Sequence, residues 1–268
     1  MDDSHQRPGR SCPRAEDATA VVKVFRAIDH DAPEQEWRAL VALAGFGIAP
    51  DPIHFDPGER PIVVMSRVLG SSLPSRALRV EHAERIAVAH RIVHTAVPSS
   101  PRSMSHGGIR AAQMTLTLDE VLGEGHGSDI ELQAWRAAKA WIATDDIEEL
   151  LSSTNLCFTQ GDPNLANYIW TDEAVALIDW EYSGFSDPVL ELANMAEHAS
   201  TRTLDDDFWV ALADATELTR THRARLARAR KAMACFWIVL IATRTRGGLP
   251  TTVTAEEQAQ RTLRVLYT

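Results

Sequence analysis

The chain is poor in several features that would settle its class at once. Only three of its 268 residues are cysteine. Cys12, Cys157 and Cys235 lie far apart with no C-x-x-C pair, which argues against a disulfide framework or a structural zinc and for a reducing compartment. Lysine is just as scarce: Lys23, Lys139 and Lys231 are the only three among 27 basic residues. Against 37 acidic residues these leave a net charge of −10, without the basic surplus that a nucleic-acid surface or an anionic membrane requires. No long hydrophobic run exists. The longest, Met233–Ala242, is about half of what a membrane-spanning helix needs, and the polar opening residues hold no apolar signal segment. No internal repeat is visible. What remains is the composition of a soluble, cytoplasmic globular protein, 45% apolar and 24% charged, long enough for one large domain or two smaller ones sharing a cleft.

Residues 1–18 are polar and carry Pro8, Gly9 and Pro13, as a tail or an incomplete opening element would. Ala20–Arg26 is short and β-branched, a strand. Pro33 opens a helix running through Leu43, with Trp37, Leu40 and Val41 on one face and Gly45 and Gly47 beyond its end. Pro61–Val68 is a second strand, broken by Gly70. Helical spacing returns over Val80–Thr95 and Glu131–Ile142, while the Gly-rich stretch 98–130 between them reads as a loop or lid. Leu156–Thr159, Tyr168–Trp170 and Val175–Asp179 read as short strands, and everything from Asp187 onward as helix. Thr254 with Glu257 forms a capping box for the last helix.

The chemistry concentrates in 160–181, Q-G-D-P-N-L-A-N-Y-I-W-T-D-E-A-V-A-L-I-D-W-E. Asp162 and Asn167 sit five apart in a polar loop, and a hairpin returns the chain to Asp179. By itself, Asp-x4-Asn is ordinary turn chemistry, in which side chains cap the backbone. The returning hairpin changes that reading. Two strands joined by a tight turn bring their outer ends together, so Asn167 and Asp179 face one point. An amide oxygen and a carboxylate there suit a hard cation such as Mg²⁺. Asp162, one loop away, is placed to take a proton from a hydroxyl nucleophile. A carboxylate directly after three apolar strand residues must be paired, metal-bound or at a cleft edge.

This stretch resembles the catalytic loop, H-G-D-x-x-x-x-N, and the I-D-[WF]-E metal-binding strand of aminoglycoside phosphotransferases and choline kinase-like small-molecule kinases. The D-P-x-x-E-L-A run from Asp187 to Ala193 extends the likeness. The resemblance implies an α+β, protein-kinase-like fold of two lobes: a small β-rich N-terminal lobe over 1–68 and a mainly helical lobe over 69–268. It makes Asp162 the catalytic base, Asn167 and Asp179 the Mg²⁺ ligands, and Glu181 an accessory acid near metal or substrate. It also asks for a strand lysine on the ATP phosphates and a helix glutamate to hold it. Lys23 fills the first role, although an edge-strand charge would also explain it. Glu36 fills the second, with Glu34 as the fallback. S-R-V-L-G after Met65 resembles the interlobe hinge, placing Met65 behind the adenine, with the Ser66 carbonyl and Val68 amide as its bonding groups. His94 matches a frequent family histidine and reads as structural. Gln160 stands where the family has histidine, a position that braces the loop. The 22 residues before Lys23 hold no legible Gly-rich phosphate-covering hairpin, so the small lobe reads as truncated.

The implied activity is transfer of the γ-phosphate of ATP, with Mg²⁺, to a hydroxyl of a small molecule. A kinase-like nucleotide-binding protein with little activity is the alternative, motivated by the short front end. A two-metal hydrolase would need further His and Asp ligands. The acceptor is open. Asp205, Asp206, Asp207, Asp214 and Glu217 suit a cationic sugar or serve as helix caps. Trp135, Trp141, Trp180 and Trp237 suit an ammonium cage or a core.

Overall fold

A computed structural model describes residues 19–26, 31–99, 107–118, 127–152 and 155–268. The opening tail, and with it the expected absence of a phosphate-covering hairpin, lies outside these residues, as does most of the Gly-rich stretch beyond Leu118.

Three antiparallel strands form the first layer. β1 (Ala20–Val24) and β2 (Pro52–Asp56) flank β3 (Ile62–Ser66), with Lys23 and Phe55 both opposite Val63. Along β3 the burial alternates as a pleat demands, with Val63 and Met65 turned into the core. Helix α1 (Ala32–Leu43), opened by a proline whose missing N–H costs nothing at that position, lays Ala39, Leu40 and Leu43 against this sheet. The sequence predicts strand, helix, strand here; the structure adds β2. Its Pro52 and its exposed Ile53 and His54 give it no apolar alternation to detect.

The next two sheets are small. β4 (Ser71–Ser72) pairs with β6 (Tyr168–Trp170), which forms the expected hairpin with β7 (Val175–Leu177), Tyr168 facing Leu177. β5 (Cys157–Thr159) pairs with β8 (Gly184–Ser186). Together they frame the polar loop at 160–167 and the turn at 178–183.

Helices make up the rest. α2 (Val80–Thr95) is followed by α3 (Gly107–Leu118), where the sequence reading had a loop. The correction has a plain cause. Ile109, Ala112 and Leu116 recur on one face and are buried, a periodicity that the glycine pair in front of it masks. Then come α4 (Asp129–Ile142), α5 (Asp145–Leu151), α6 (Pro188–Glu197), α7 (Asp206–Ala215), α8 (Arg220–Arg246) and α9 (Ala255–Tyr267). Met233–Ala242 is the buried half of α8, and Thr254 and Glu257 cap α9 reciprocally. Among the described residues, no helix is long and apolar enough to cross a membrane.

Two apolar cores result. The first joins the sheet of β1, β2 and β3 to α2, the hairpin and α7, with Trp180, Tyr168 and Phe158 fully buried in it. The second lies among α3, α4, α5, α8 and α9. α6 is their common wall, giving Leu192 and Met195 to the first and Val189, Leu190 and Ala193 to the second.

Candidate active site

β1 and α1 together set the first half of the site. Lys23 occupies a β1 position with its ammonium turned towards α1, where its Nζ lies 3.0 Å from Glu36 Oε2. The same ammonium contacts Asp179 Oδ1 and reaches Glu181 Oε2 at 3.0 Å. Glu36 is fully buried, and one carboxylate oxygen from each of Glu36, Asp179 and Glu181 lies within 4.8 Å of the others. Lys23 neutralises part of that charge. Burial alone would lower its pKa, but Glu36 and Asp179 hold it well above the usual lysine value. Burial also pushes the Glu36 carboxyl up, against the pull of Lys23. Glu34 is not part of this group; it is exposed and pairs with Arg38 one turn along α1.

The hairpin of β6 and β7 sets the second half. Ile178 N–H donates to the Asn167 carbonyl at 3.0 Å, closing the outer end of the hairpin and bringing Asn167 beside the residue before Asp179. Asp179 itself has φ 63°, a left-handed conformation that aspartate tolerates better than most residues. The Asn167 amide donates to Asp162 Oδ2 at 3.0 Å, and Asn164 N–H donates to Oδ1 at 3.2 Å. Burial nevertheless dominates at Asp162: its pKa is raised, with Asp179 and Glu181 adding to the effect. A carboxylate held by two donors and destabilised by its surroundings is a proton acceptor in waiting.

Gln160 ties the loop of Asp162 to the turn of Asp179. Its side-chain nitrogen donates to the carbonyls of Ile178 at 3.0 Å and Asp179 at 2.8 Å, while its Oε1 accepts from Asp162 N–H at 2.8 Å. Gln160 N–H donates in turn to Glu191 Oε1 on α6 at 3.1 Å. His94 and His90 of α2 both contact the other oxygen, Oε2, at 2.7 and 3.0 Å. Burial would raise the pKa of Glu191, yet the two histidines hold it well below the ordinary range. Glu191 drew no attention in the sequence; its only signal was its place in the run after Asp187.

Gly161 is the tightest point of the loop. With φ +87°, a Cβ built on it would lie 2.1 Å from the Tyr182 carbonyl oxygen. Gly161→Ala must therefore move backbone. It is expected to cost about 2 kcal/mol or more of stability and to lower turnover, read by thermal melting and initial rates.

Lys23, Glu36, Met65, Ser66, Val68, Asn167 and Asp179 all line one cleft of about 370 Å³, floored by Ile169 and Ile178. Ser66 is fixed there by Asp51, whose carbonyl accepts its N–H at 2.9 Å and whose N–H donates to its hydroxyl at 2.8 Å. A second cavity of about 140 Å³ opens behind Gly161 and Pro163, walled by Ile109, Leu190, Met233 and Phe236. Of the four tryptophans, Trp180 belongs to the first core and Trp135 to the second, against which Trp141 and Trp237 pack partly buried. Asp205 caps α7 and Asp214 pairs with Arg223.

The sequence model of a phosphotransferase enzyme family matches residues 14–228. Comparison with curated proteins gives no match. Among solved structures, a choline/ethanolamine kinase family protein from Mesorhizobium loti superposes with a TM-score of 0.70 at 17% identity, over 94% of this chain and 83% of that one. The choline kinase LicA from Streptococcus pneumoniae gives 0.66 at 17% identity, over 92% and 85%. A spectinomycin phosphotransferase in complex with ADP and spectinomycin gives 0.62 at 11% identity, over 94% and 86%. At such identities the likeness is one of fold: the two-lobed, protein-kinase-like arrangement of small-molecule kinases.

Proposed function

The chain belongs to the phosphotransferase enzyme family, and from that premise we propose that it moves the γ-phosphoryl group of ATP to a hydroxyl of a small molecule, with Mg²⁺ as its metal. The observation that carries this reading is the convergence of Glu36, Asp179 and Glu181 on the Lys23 ammonium, with Lys23, Glu36 and Asp179 lining the 370 Å³ cleft and Asp162 held by Asn167.

In this reading the cleft between the part up to Val68 and the helical remainder holds the nucleotide. Met65 lies behind the adenine, and the Ser66 carbonyl and Val68 amide face its edge. Lys23, positioned by Glu36, neutralises the α/β-phosphates. The donor set fits a hard cation, since Asp179, Glu181 and the Asn167 amide supply only oxygen. Asn167 and Asp179 would hold the Mg²⁺, with Glu181 as the accessory acid; when bound, the ion offsets the charge on the β/γ-phosphates. Asp162 orients the acceptor hydroxyl and takes its proton. The acceptor occupies the cavity behind Gly161 and Pro163. Catalysis of this kind is mostly positioning and charge stabilisation, and the bonds of Gln160 to both acidic segments serve that end.

The test is a thermal-shift titration with ATP, with and without Mg²⁺. A ligand at about 100 times its Kd stabilises the folded state by about 2.7 kcal/mol. A shift that requires Mg²⁺, followed by ADP release on adding hydroxyl compounds, is the expected result. A melting temperature that ATP leaves unmoved at any Mg²⁺ concentration overturns the nucleotide assignment.

A further inference from the structure

We propose that His90, His94 and Glu191 form a binding site for a transition-metal ion of the Zn²⁺ class, separate from the group of Glu36, Asp179 and Glu181. His90 and His94 stand one turn apart on α2 and present their rings to the same side. Glu191 meets them from α6. One ligand atom from each residue lies within 4.8 Å of the other two. Two imidazole nitrogens and one carboxylate oxygen make the donor set of a borderline ion rather than of Mg²⁺ or Ca²⁺.

What lifts this group above a hydrogen-bonded triad is that the outer partners of a metal site are already built. Metal-bound histidines and carboxylates need their remaining atoms held. Glu191 offers Oε2 to both histidines, while its Oε1 is held by Gln160 N–H at 3.1 Å. His90 turns its far nitrogen, Nε2, to the Tyr168 hydroxyl at 3.0 Å, in the interior of the first core. The group also opens onto a cavity of about 190 Å³, to which His222 and Glu217 contribute. Three protein ligands with a roomy fourth position is the arrangement in which such ions keep a water or recruit a further side chain.

Binding exchanges two contacts to Glu191 Oε2 for metal–ligand bonds. Before binding, each contact requires a proton on the facing nitrogen, Nδ1 in His90 and Nε2 in His94, because the carboxylate only accepts. On binding, each neutral ring loses that proton and gains one on its other nitrogen, Nε2 in His90, where Tyr168 accepts it, and Nδ1 in His94. No charge is left over on the rings. Because Glu191 Oε1 stays on Gln160 N–H, the ion fixes the start of the loop bearing Asp162 to both α2 and α6.

The experiment titrates the purified full-length chain with Co²⁺ and follows visible absorption, then competes with Zn²⁺. The expected result is one Co²⁺ per chain with the strong d–d bands of a tetrahedral site, displaced by Zn²⁺. Affinity should fall about tenfold or more in His94→Gln, and the bands should be unchanged in Asp179→Asn. His90→Gln is the second variant should the first not fold, and circular dichroism checks both. Absorption no stronger than that of the hydrated ion overturns the proposal, and so does a signal that neither histidine variant alters. A signal lost in Asp179→Asn alone overturns it too, by moving the metal to the other acidic group.

Discussion

Asp162→Asn is expected to lower phosphoryl transfer about 10²–10⁴-fold, the range that removal of a general base spans, and to leave nucleotide affinity within a factor of a few. The two effects separate because of where its oxygens go. Asp162 bonds Asn164 and Asn167 and is not among the groups that Lys23 contacts. An asparagine keeps the shape of this corner and loses the ability to accept a proton. Initial rates of ADP release, set beside ATP affinity by calorimetry, separate the two effects. Equal turnover in the variant removes Asp162 from the role of base. The wild-type pH profile carries a matching expectation. Burial raises the Asp162 pKa, and the base must be ionised to act. Activity is therefore full above that raised value and falls as pH drops through it. The acid limb lies above the value near 4 of an ordinary aspartate, and its failure to do so contradicts the buried setting.

Lys23→Met is the variant with the largest expected effect on the folded state itself. Glu36 has a side chain only 1% exposed, and among the described residues its Oε1 has no hydrogen-bond partner; its charge is tolerated because Lys23 stands 3.0 Å from Oε2. Removing one member of a buried pair typically costs about 3–5 kcal/mol. Lys23 is itself 27% exposed, where solvent screens part of the interaction, so the low end, about 3 kcal/mol, is expected. The sign of the pH dependence follows. The Glu36 pKa is raised in the folded protein even beside Lys23, and losing the ammonium raises it further. A group with a raised folded pKa contributes stability at low pH and loses it as pH climbs through that value. The deficit of Lys23→Met should thus be larger near pH 8 than near pH 5. The wild-type Lys23 contribution stays constant across that window, being lost only above the ordinary lysine range. Denaturant melts at the two pH values test this. A pH-independent deficit means that Glu36 does not carry the charge.

How much of this was legible beforehand varied with distance along the chain. Asp162, Asn167 and Asp179 fall within one loop and one hairpin, so pairing rules alone bring them near each other, and Tyr168–Trp170 was read to the residue. Lys23 and Glu36 were linked through a resemblance, and the structure brings them into contact. What escaped was structure without apolar periodicity. β2 hides behind Pro52, and α5 is a short acidic helix with little to mark it. α3 begins on two glycines. Long-range polar bonding escaped as well: nothing in the sequence says that a glutamine side chain at 160 will bond the carbonyls of 178 and 179, or that Glu191 will meet two histidines from a helix about 100 residues earlier. Such contacts are set by tertiary packing, and no local pattern encodes them.

The two cores divide the molecule's inheritance. The cleft proposed for the nucleotide is backed by the first, through Met65, whereas the cavity behind Gly161 and Pro163 takes Ile109, Leu190 and Met233 from the second and shares only Tyr168 with the first. Substitutions well separated in space act nearly independently on stability. In the proposed reading, the helices that wall the smaller cavity can therefore vary, and the acceptor with them, while the residues around Lys23 stay under their own constraint. α6 is where that freedom ends, because one turn of it faces both cores at once.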